Sequence, residues 1–247
     1  MSLIRAIRGK RTAGIFLRSL QCFSGERPVA YTVKRWLFMS LKHLPTLNVI
    51  TIIPHTVHPE LKQVSHSWIH DPQLWDLWVD SVPTIPVSDL SRRIVRERGD
   101  RNVVVLMGAI SREKRVDEYV SYVRLNSETT LPVLAGRIAP DCRSAAEHVR
   151  LLGGIVEDRV LDDDEILSLY GAANLIWTEY SAQYDLPSGI FGRAVQLGVP
   201  ARIRRGSLLE RISIHYGLPY AADVREVRSP AGGWDELGDR NFHGKFQ

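Results

Sequence analysis

The sequence is poor in cysteine and has no long apolar run. Its 247 residues include two cysteines, Cys22 and Cys142, and neither has a partner at metal-ligand spacing. This argues against a disulfide framework, so two free thiols in a reducing compartment are expected. No stretch approaches the ~20 apolar residues of a membrane-spanning helix. The start of the chain is too broken by Arg and Lys for a secretory signal, which predicts a cytoplasmic protein.

Three other signatures are missing. No Gly-x-Gly-x-x-Gly follows a predicted strand, which disfavours a dinucleotide enzyme. Neither zinc-finger spacing nor an aromatic RNA-binding pattern is present, so nucleic acid is not an expected partner. Four histidines fall between positions 55 and 70, but only His66 and His70 are spaced as a helical pair. Surface or packing histidines are therefore preferred to a metal site.

The charge that is present is unevenly placed. The net charge is +4, yet eight Lys or Arg residues precede position 36, with Glu26 as their one acidic neighbour. Apolar residues from Leu3 to Leu20 are interleaved with these cations. Two interpretations follow: an amphipathic helix lying peripherally on the inner face of a membrane, or an ordinary solvated helix face packed on the protein.

The chain divides into an irregular part and a regular part. Residues 1–88 predict basic helices, a strand at 49–53 and a stretch rich in His, Pro and Trp, and Pro83 and Pro86 indicate a boundary. In residues 89–247 strands alternate with helices. The strands are predicted at 103–107, 131–135, 155–160, 174–178 and 200–203, and helices at 112–125, 144–152, 162–170, 189–197 and 207–216. This order predicts a parallel sheet with helices on both faces, which binds ligands beyond the carboxyl ends of its strands.

Two loops at predicted strand ends carry chemical groups. In the first, Gly108 permits close approach of a phosphate, and Arg112 and Lys114 lie just inside a helix N-terminus. This loop matches a diphosphate. Its alternative interpretation is a plain strand-to-helix turn with solvated charges.

The second loop runs from 179 to 189. The carboxylate of Asp185 can accept hydrogen bonds from sugar hydroxyls, while the backbone N–H groups of Ser188, Gly189 and Ile190 face an anion. The loop then holds both ends of a sugar diphosphate. The alternative is that Asp185 is only a helix-capping or turn residue.

Four segments carry a family resemblance. In order, they are VVVLMGAISREKRVDEYVSYV, LPVLAGRIAPD, VLDDDEILSLYGAANLIWTEY and SGIFGRAVQLGVPARI, within roughly residues 101–220. Together they resemble the C-terminal domain of GT-B glycosyltransferases related to glycosyltransferase family four. That family has a Gly-Arg-x-x-x-x-Lys loop, an "lY..ad" helix and a Glu-x7-Glu element before a "G.PV" strand.

The resemblance implies a hexosyltransferase-type enzyme. It would transfer a sugar from a UDP- or GDP-sugar to a glycan or lipid-linked acceptor, as in polysaccharide biosynthesis, without a cofactor or metal. Gly108 and Lys114 would bind the diphosphate, Asp185 would contact the transferred sugar, and residues 188–190 would lie beside the phosphates. A general base would come from the N-terminal part, where His55 is the candidate.

The sequence departs from the family pattern in two residues and in length. Ala109 replaces the loop arginine, and Arg193 stands where a glutamate normally accepts hydrogen bonds from the ribose. Because arginine cannot accept a hydrogen bond, Arg193 and an inward-turned Arg112 are expected to bind phosphate instead. Residues 1–88 resemble only part of an acceptor-binding domain, which predicts a remnant or a second chain that completes the GT-B fold.

Two other functions stay open from the sequence. One is a degenerate or split GT-B protein that binds nucleotide or a partner without turnover, which Ala109 and Arg193 favour. The other is a non-enzymatic basic protein bound to a membrane or nucleic acid.

Overall fold

The structure is a computed structural model that describes residues 9–23, 28–78 and 84–218. Contacts divide the chain into two compact units, Met1–Pro72 and Gln73–Gln247, which are described separately. The sequence predicts this boundary after residue 88. The structure assigns the intervening segment to the second unit because residues 73–78 pack against one of its helices.

The first unit contains a small parallel sheet. Its elements are β1 (Thr12–Ile15), a 3₁₀ turn (Ser19–Phe23), α1 (Pro28–Leu41), β2 (Leu47–Thr51) and β3 (Ser67–Trp68). The strands lie in the order β1-β2-β3. The helix packs against the residue that follows β1, because the Phe38 ring stacks 3.7 Å from that of Phe16.

The predicted basic helix near the N-terminus is wrong over residues 12–15. These residues form β1, because their alternating half-buried side chains suit an edge strand and Thr12 pairs with Leu47 of β2. Residues 1–8 lie outside the described part. The strand predicted at 49–53 is present two residues earlier, at Leu47–Thr51.

The second unit alternates strands and helices. Its elements are α2 (Asp89–Arg98), β4 (Asn102–Met107), α3 (Val116–Leu125), β5 (Thr130–Ala135), α4 (Arg143–Leu151), β6 (Ile155–Glu157), α5 (Asp163–Ala172), β7 (Leu175–Trp177), α6 (Gly189–Gln196), β8 (Ala201–Arg202) and α7 (Leu208–Tyr216). The strands are all parallel, in the order β6-β5-β4-β7-β8. The predicted α/β class is therefore confirmed.

The strand order places the ligand-binding edge. Successive strands extend from β4 to β6 in one direction, and the chain then crosses to β7 on the other side of β4. This reversal is a topological switch point, where the loops after two neighbouring strands separate and leave a crevice. The loops after β4 and β7 are the two that the sequence selects.

Local sequence signals explain several helix boundaries. Asp162 caps α5 by accepting a hydrogen bond from the Glu165 amide at 2.8 Å, and the Glu165 side chain returns the contact. The helix predicted at 162–170 is thus confirmed, at Asp163–Ala172. The helix predicted from residue 112 begins instead at Val116, because residues 112–114 form a 3₁₀ turn and Arg115 adopts a left-handed backbone with φ 51°.

The core of the second unit is organised around Tyr119 of α3. Its buried hydroxyl lies 2.9 Å from the Val104 carbonyl oxygen of β4 and 3.0 Å from that of Val133 in β5. The ring packs edge-on against Trp177 at the end of β7, with centroids 5.4 Å apart. One side chain therefore fixes α3 against three strands. Within the described ranges, no helix has the length and apolar character needed to cross a bilayer.

Gly136 is predicted to be irreplaceable. An alanine Cβ there would overlap the Gly108 carbonyl oxygen, and the φ of +135° is strained for any other residue. Gly153 is the matched control, because its φ is +71° but nothing lies within 4 Å of an added Cβ. Gly153→Ala should lower the free energy of unfolding by about 1 kcal/mol. Gly136→Ala should lower it by about 3 kcal/mol or more, measured by urea unfolding. Equal losses would contradict the steric argument.

Candidate functional site

The two loops chosen from the sequence meet at one edge of the second sheet. The backbone N–H of Ser181, after β7, donates to the Glu113 carbonyl oxygen, after β4, at 2.7 Å. The indole N–H of Trp177 donates to the Lys114 carbonyl oxygen at 3.2 Å. These hydrogen bonds fix the first loop on the second, so their functional groups share one site.

Gly108 is the meeting point of the predicted phosphate-binding groups. Its φ of +83° suits glycine, and a Cβ placed there would lie 3.1 Å from Lys114 Nζ and 3.3 Å from Ile190 Cδ1. The ammonium group and the first turn of α6 therefore lie beside the same residue. The structure brings together Gly108, Lys114 and Ile190, as the sequence predicts.

Lys114 is buried without a carboxylate partner. Its side chain is 9% exposed, and Nζ donates a hydrogen bond to the Met107 carbonyl oxygen. Among the described residues no acidic side chain forms a salt bridge with it, and burial lowers the pKa of its ammonium group to about 8. A buried cation is costly unless an anion accompanies it, so this position is suited to an anionic ligand.

The N-terminus of α6 supplies further donors. Ser188 is the N-cap residue, and its hydroxyl accepts from the Phe191 amide at 3.3 Å and contacts the Tyr180 hydroxyl at 2.8 Å. The amides of Gly189 and Ile190 belong to the first turn, where a helix has no carbonyl acceptor for its N–H groups. The helix end is also positively polarised, so it favours an anion beside Lys114.

A segment from Gln73 to Trp78 covers one face of α6. The Gln73 side chain lies 3.2 Å from where a Cβ on Gly189 would be, and the Gln73 carbonyl oxygen would overlap a Cβ on Gly192. The small residues of α6 therefore permit the close approach. Gln196, on the same helix face, accepts from the Leu77 amide at 2.8 Å and donates to the Gln73 carbonyl oxygen at 2.7 Å.

Arg193 has a different partner from the phosphate that the sequence predicts. Its guanidinium forms a two-pronged ion pair with Asp76, with one N–O distance of 3.0 Å. Desolvation opposes ionisation of Asp76, but hydrogen bonds from Arg193 and Gln196 lower its pKa overall. The charge reversal at position 193 is thus compensated inside the protein, and Arg193 anchors the covering segment.

The sequence predicts that the Arg112 side chain turns inward, but in the structure it does not. Its Nε lies 2.9 Å from a carboxylate oxygen of Asp141, in the loop after β5, and its side chain is 70% exposed. The available carboxylate explains this orientation. Arg112 therefore does not replace the arginine that is missing at position 109.

Asp185 has the capping role that was the alternative to a sugar contact. Its carboxylate accepts from the Leu208 amide at the start of α7 at 2.8 Å. The guanidinium groups of Arg204 and Arg211 lie 3.4 Å and 4.0 Å away. These contacts occupy the carboxylate and join the loop after β7 to α7.

His55 belongs to the first unit, where it follows β2. Its Nε2 lies 2.8 Å from the Ser65 hydroxyl. Burial and the nearby cations Lys62 and Lys42 lower its pKa, which favours the neutral imidazole. This is the protonation state that a general base requires, while its catalytic role stays a prediction. Within the ranges that the structure describes, no cluster of three metal-binding side chains occurs.

Sequence reasoning missed Gln73 and Asp76. The one signal that points to them is on α6, where Gly189, Gly192, Arg193 and Gln196 share a face by helical spacing. Small residues on a helix indicate a close neighbour, and an arginine among them indicates an acidic one. Nothing local identifies that neighbour, because Asp76 precedes Arg193 by 117 positions.

No protein-family model matches the chain, and no curated protein does so either. Solved structures do match it. The Anabaena protein Alr3699/HepE, in complex with UDP and glucose, is 14% identical, with a TM-score of 0.57 over 85% of this chain and 57% of that one. MnaA from S. aureus, in a co-structure with UDP, is 14% identical, with a TM-score of 0.56 over 99% of this chain and 64% of that one.

A third structure has a similar extent. A Listeria monocytogenes protein assigned as a UDP-N-acetylglucosamine 2-epimerase is 17% identical, with a TM-score of 0.54 over 99% of this chain and 64% of that one. The present chain thus spans 57% to 64% of the length of these three proteins. The similarity confirms the Rossmann-like GT-B type fold that the sequence predicts.

The Asp76–Arg193 pair should contribute measurably to the stability of the second unit. In a double-mutant cycle of Asp76→Asn and Arg193→Gln, urea unfolding at pH 7 should give a coupling of about 1 kcal/mol. The exposed Arg112–Asp141 pair is the matched control and should give a smaller coupling. The folded pKa of Asp76 is lowered below 3.8, so its contribution is present above that pH and is lost as pH falls through the folded value. Zero coupling at pH 7 would mean that the pair does not form in solution.

Proposed function

We propose that the second unit binds the diphosphate of a nucleotide sugar between Lys114 and the N-terminus of α6. The buried Lys114 ammonium, which lacks an acidic partner among the described residues, is the observation that carries this proposal. A diphosphate provides the missing negative charge. The UDP in the HepE and MnaA structures supports the choice of ligand, because those proteins share this fold.

The groups around Gly108 suit a diphosphate in three respects. Lys114 provides a positive charge in a water-poor environment, where an ion pair is stronger than in bulk water. The amides of Gly189 and Ile190 provide directed hydrogen-bond donors. Gly108 has no side chain of its own to stand against the ammonium group, since a Cβ there would lie 3.1 Å from Lys114 Nζ. Binding by this route needs no metal ion.

The reaction that we propose is sugar transfer to a glycan or lipid-linked hydroxyl. The acceptor oxygen forms a bond to the anomeric carbon, the bond from that carbon to the phosphate oxygen breaks, and the nucleoside diphosphate leaves. Lys114 and the α6 dipole would stabilise the negative charge that develops on the leaving group. The acceptor proton goes to a base, for which His55 of the first unit remains the candidate. The GT-B type fold and the four resembling segments support this proposal.

A second candidate reaction uses the same diphosphate site. The Listeria monocytogenes protein assigned as an epimerase matches 99% of this chain, which favours inversion of a sugar carbon while the nucleotide is bound. Nucleotide binding without turnover is the third candidate. It gains support from Arg112, Asp185 and Arg193, since each has a partner within the protein.

Lys114→Met should abolish most of the diphosphate affinity. The change keeps most of the length of the side chain and removes its charge, so UDP or GDP binding measured by calorimetry should weaken about tenfold to a hundredfold. Stability should not fall, because an unpaired buried cation is removed. Arg112→Met is the matched control and should bind nucleotide almost as the unchanged protein does, because Arg112 already pairs with Asp141.

Binding of the nucleoside uridine tests the same assignment from the ligand side. Uridine has no phosphate, so its affinity should be the same in the unchanged protein and in Lys114→Met. Equal UDP binding by the two proteins would refute the proposed phosphate site. Loss of uridine binding together with UDP binding would indicate a damaged fold rather than a lost phosphate contact.

The products of a UDP-sugar distinguish the candidate reactions. We expect the unchanged protein to release UDP only when an acceptor is present, as measured by chromatography of the nucleotides. Lys114→Met should release none. A new UDP-sugar isomer without free UDP would instead establish epimerisation. Unchanged UDP-sugar, together with measurable UDP affinity, would leave binding without turnover.

A further inference from the structure

The outward face of α1 is apolar and uncharged. Val29, Val33, Trp36 and Leu37, here termed the α1 stripe, are 78%, 63%, 63% and 52% exposed. Their spacing at positions i, i+4, i+7 and i+8 aligns them on one side of the helix. The other exposed residues of the helix are Pro28, Ala30, Thr32 and Ser40, so the whole exposed side carries no charge.

The charged residues of α1 lie against the first unit. Lys34 donates to the Gln21 side chain at 2.8 Å and sits 4.9 Å above the Phe16 ring. Arg35 lies 5.0 Å from the Phe23 ring and bonds the Gln63 side chain. An ordinary surface helix has the opposite arrangement, with its charges in water and its apolar side buried. The α1 stripe therefore belongs to a surface that something apolar covers.

The first unit exposes two further apolar residues outside the helix. Ile15 at the end of β1 and Leu17 just after it are 55% and 58% exposed. Isolated exposed apolar residues are common, but four of them aligned on one side of a helix mark an interaction site.

Charge identifies the partner. Residues 1–72 contain ten Lys or Arg and three Asp or Glu, whereas residues 73–247 contain 22 and 25. The first unit is therefore strongly cationic and the second weakly anionic. A cationic unit with an uncharged apolar stripe that includes a tryptophan fits a membrane surface rich in anionic lipid, where aromatic rings and basic residues lie at the interface.

We propose that the first unit binds anionic lipid bilayers through the α1 stripe, with α1 lying in the plane of the interface. Nucleic acid presents phosphates and no acyl chains, so it would leave the apolar α1 stripe exposed to water. The membrane contact that the sequence predicts at the basic N-terminus is a separate hypothesis and stays a prediction. The inference concerns the first unit alone and is independent of nucleotide binding by the second.

Vesicle co-sedimentation tests the proposal on the full chain. We expect binding to vesicles of phosphatidylcholine with phosphatidylglycerol and little binding to phosphatidylcholine alone. Binding should weaken when salt rises from ~0.1 M to ~1 M, because the screening length falls from about 10 Å to about 3 Å. Val33→Glu/Leu37→Glu should reduce the partition coefficient at least about tenfold.

Leu125→Glu/Leu151→Glu is the matched control, because both leucines end helices of the second unit and are 82% and 83% exposed. It should bind vesicles as the unchanged chain does, and thermal unfolding should show that both double variants are folded. The proposal is overturned if the unchanged chain binds neither vesicle or binds both equally. It is also overturned if the stripe variant still binds, or if the stripe mediates only self-association or nucleic-acid binding.

Discussion

The second unit depends on one energetic constraint, which is the burial of the Lys114 ammonium without a neighbouring carboxylate among the described residues. The surrounding geometry maintains that arrangement. The Trp177 indole donates to the Lys114 carbonyl oxygen, the Met107 carbonyl oxygen accepts from the ammonium, and Gly108 places no Cβ against it. A buried cation that stays unpaired costs stability. The cost is understandable if a bound anion offsets it, since the same desolvation strengthens the attraction for that anion.

Ion pairs behind the site hold the two loops in place. Glu179, at the start of the loop after β7, accepts from Arg115 at 2.6 Å and from Arg202 at 2.8 Å. The guanidinium of Arg202 also lies 5.0 Å from the rings of Tyr122 and Trp177. This network joins the loops after β4 and β7 to the core. The hydrogen-bond donors of the phosphate site are therefore positioned before a ligand arrives, which lowers the entropy lost on binding.

The sequence predicted what local patterns determine. The continuous apolar runs of β4 and β5 were located within one residue because both faces of these strands are buried. The groups around Gly108 were also predicted, since a strand-end glycine and a nearby lysine lie close in sequence. Long-range partners were not. Asp76 and Arg193 are 117 positions apart, and only the fold brings them together. The same limit applies to Asp185, whose hydrogen-bond donor is the Leu208 amide at the start of α7, 23 positions later.

The pKa of Lys114, measured with and without UDP, tests the central claim most directly. The side chains can be followed by NMR with ¹³C-labelled lysine, and Lys114→Met identifies the Lys114 signal. In the free protein, burial should lower the pKa to about 8, well below the ordinary value of 10.5. Bound UDP should raise it, because a neighbouring phosphate stabilises the ammonium. A pKa near 10.5 in the free protein, or a lowered value that UDP leaves unchanged, would contradict the account.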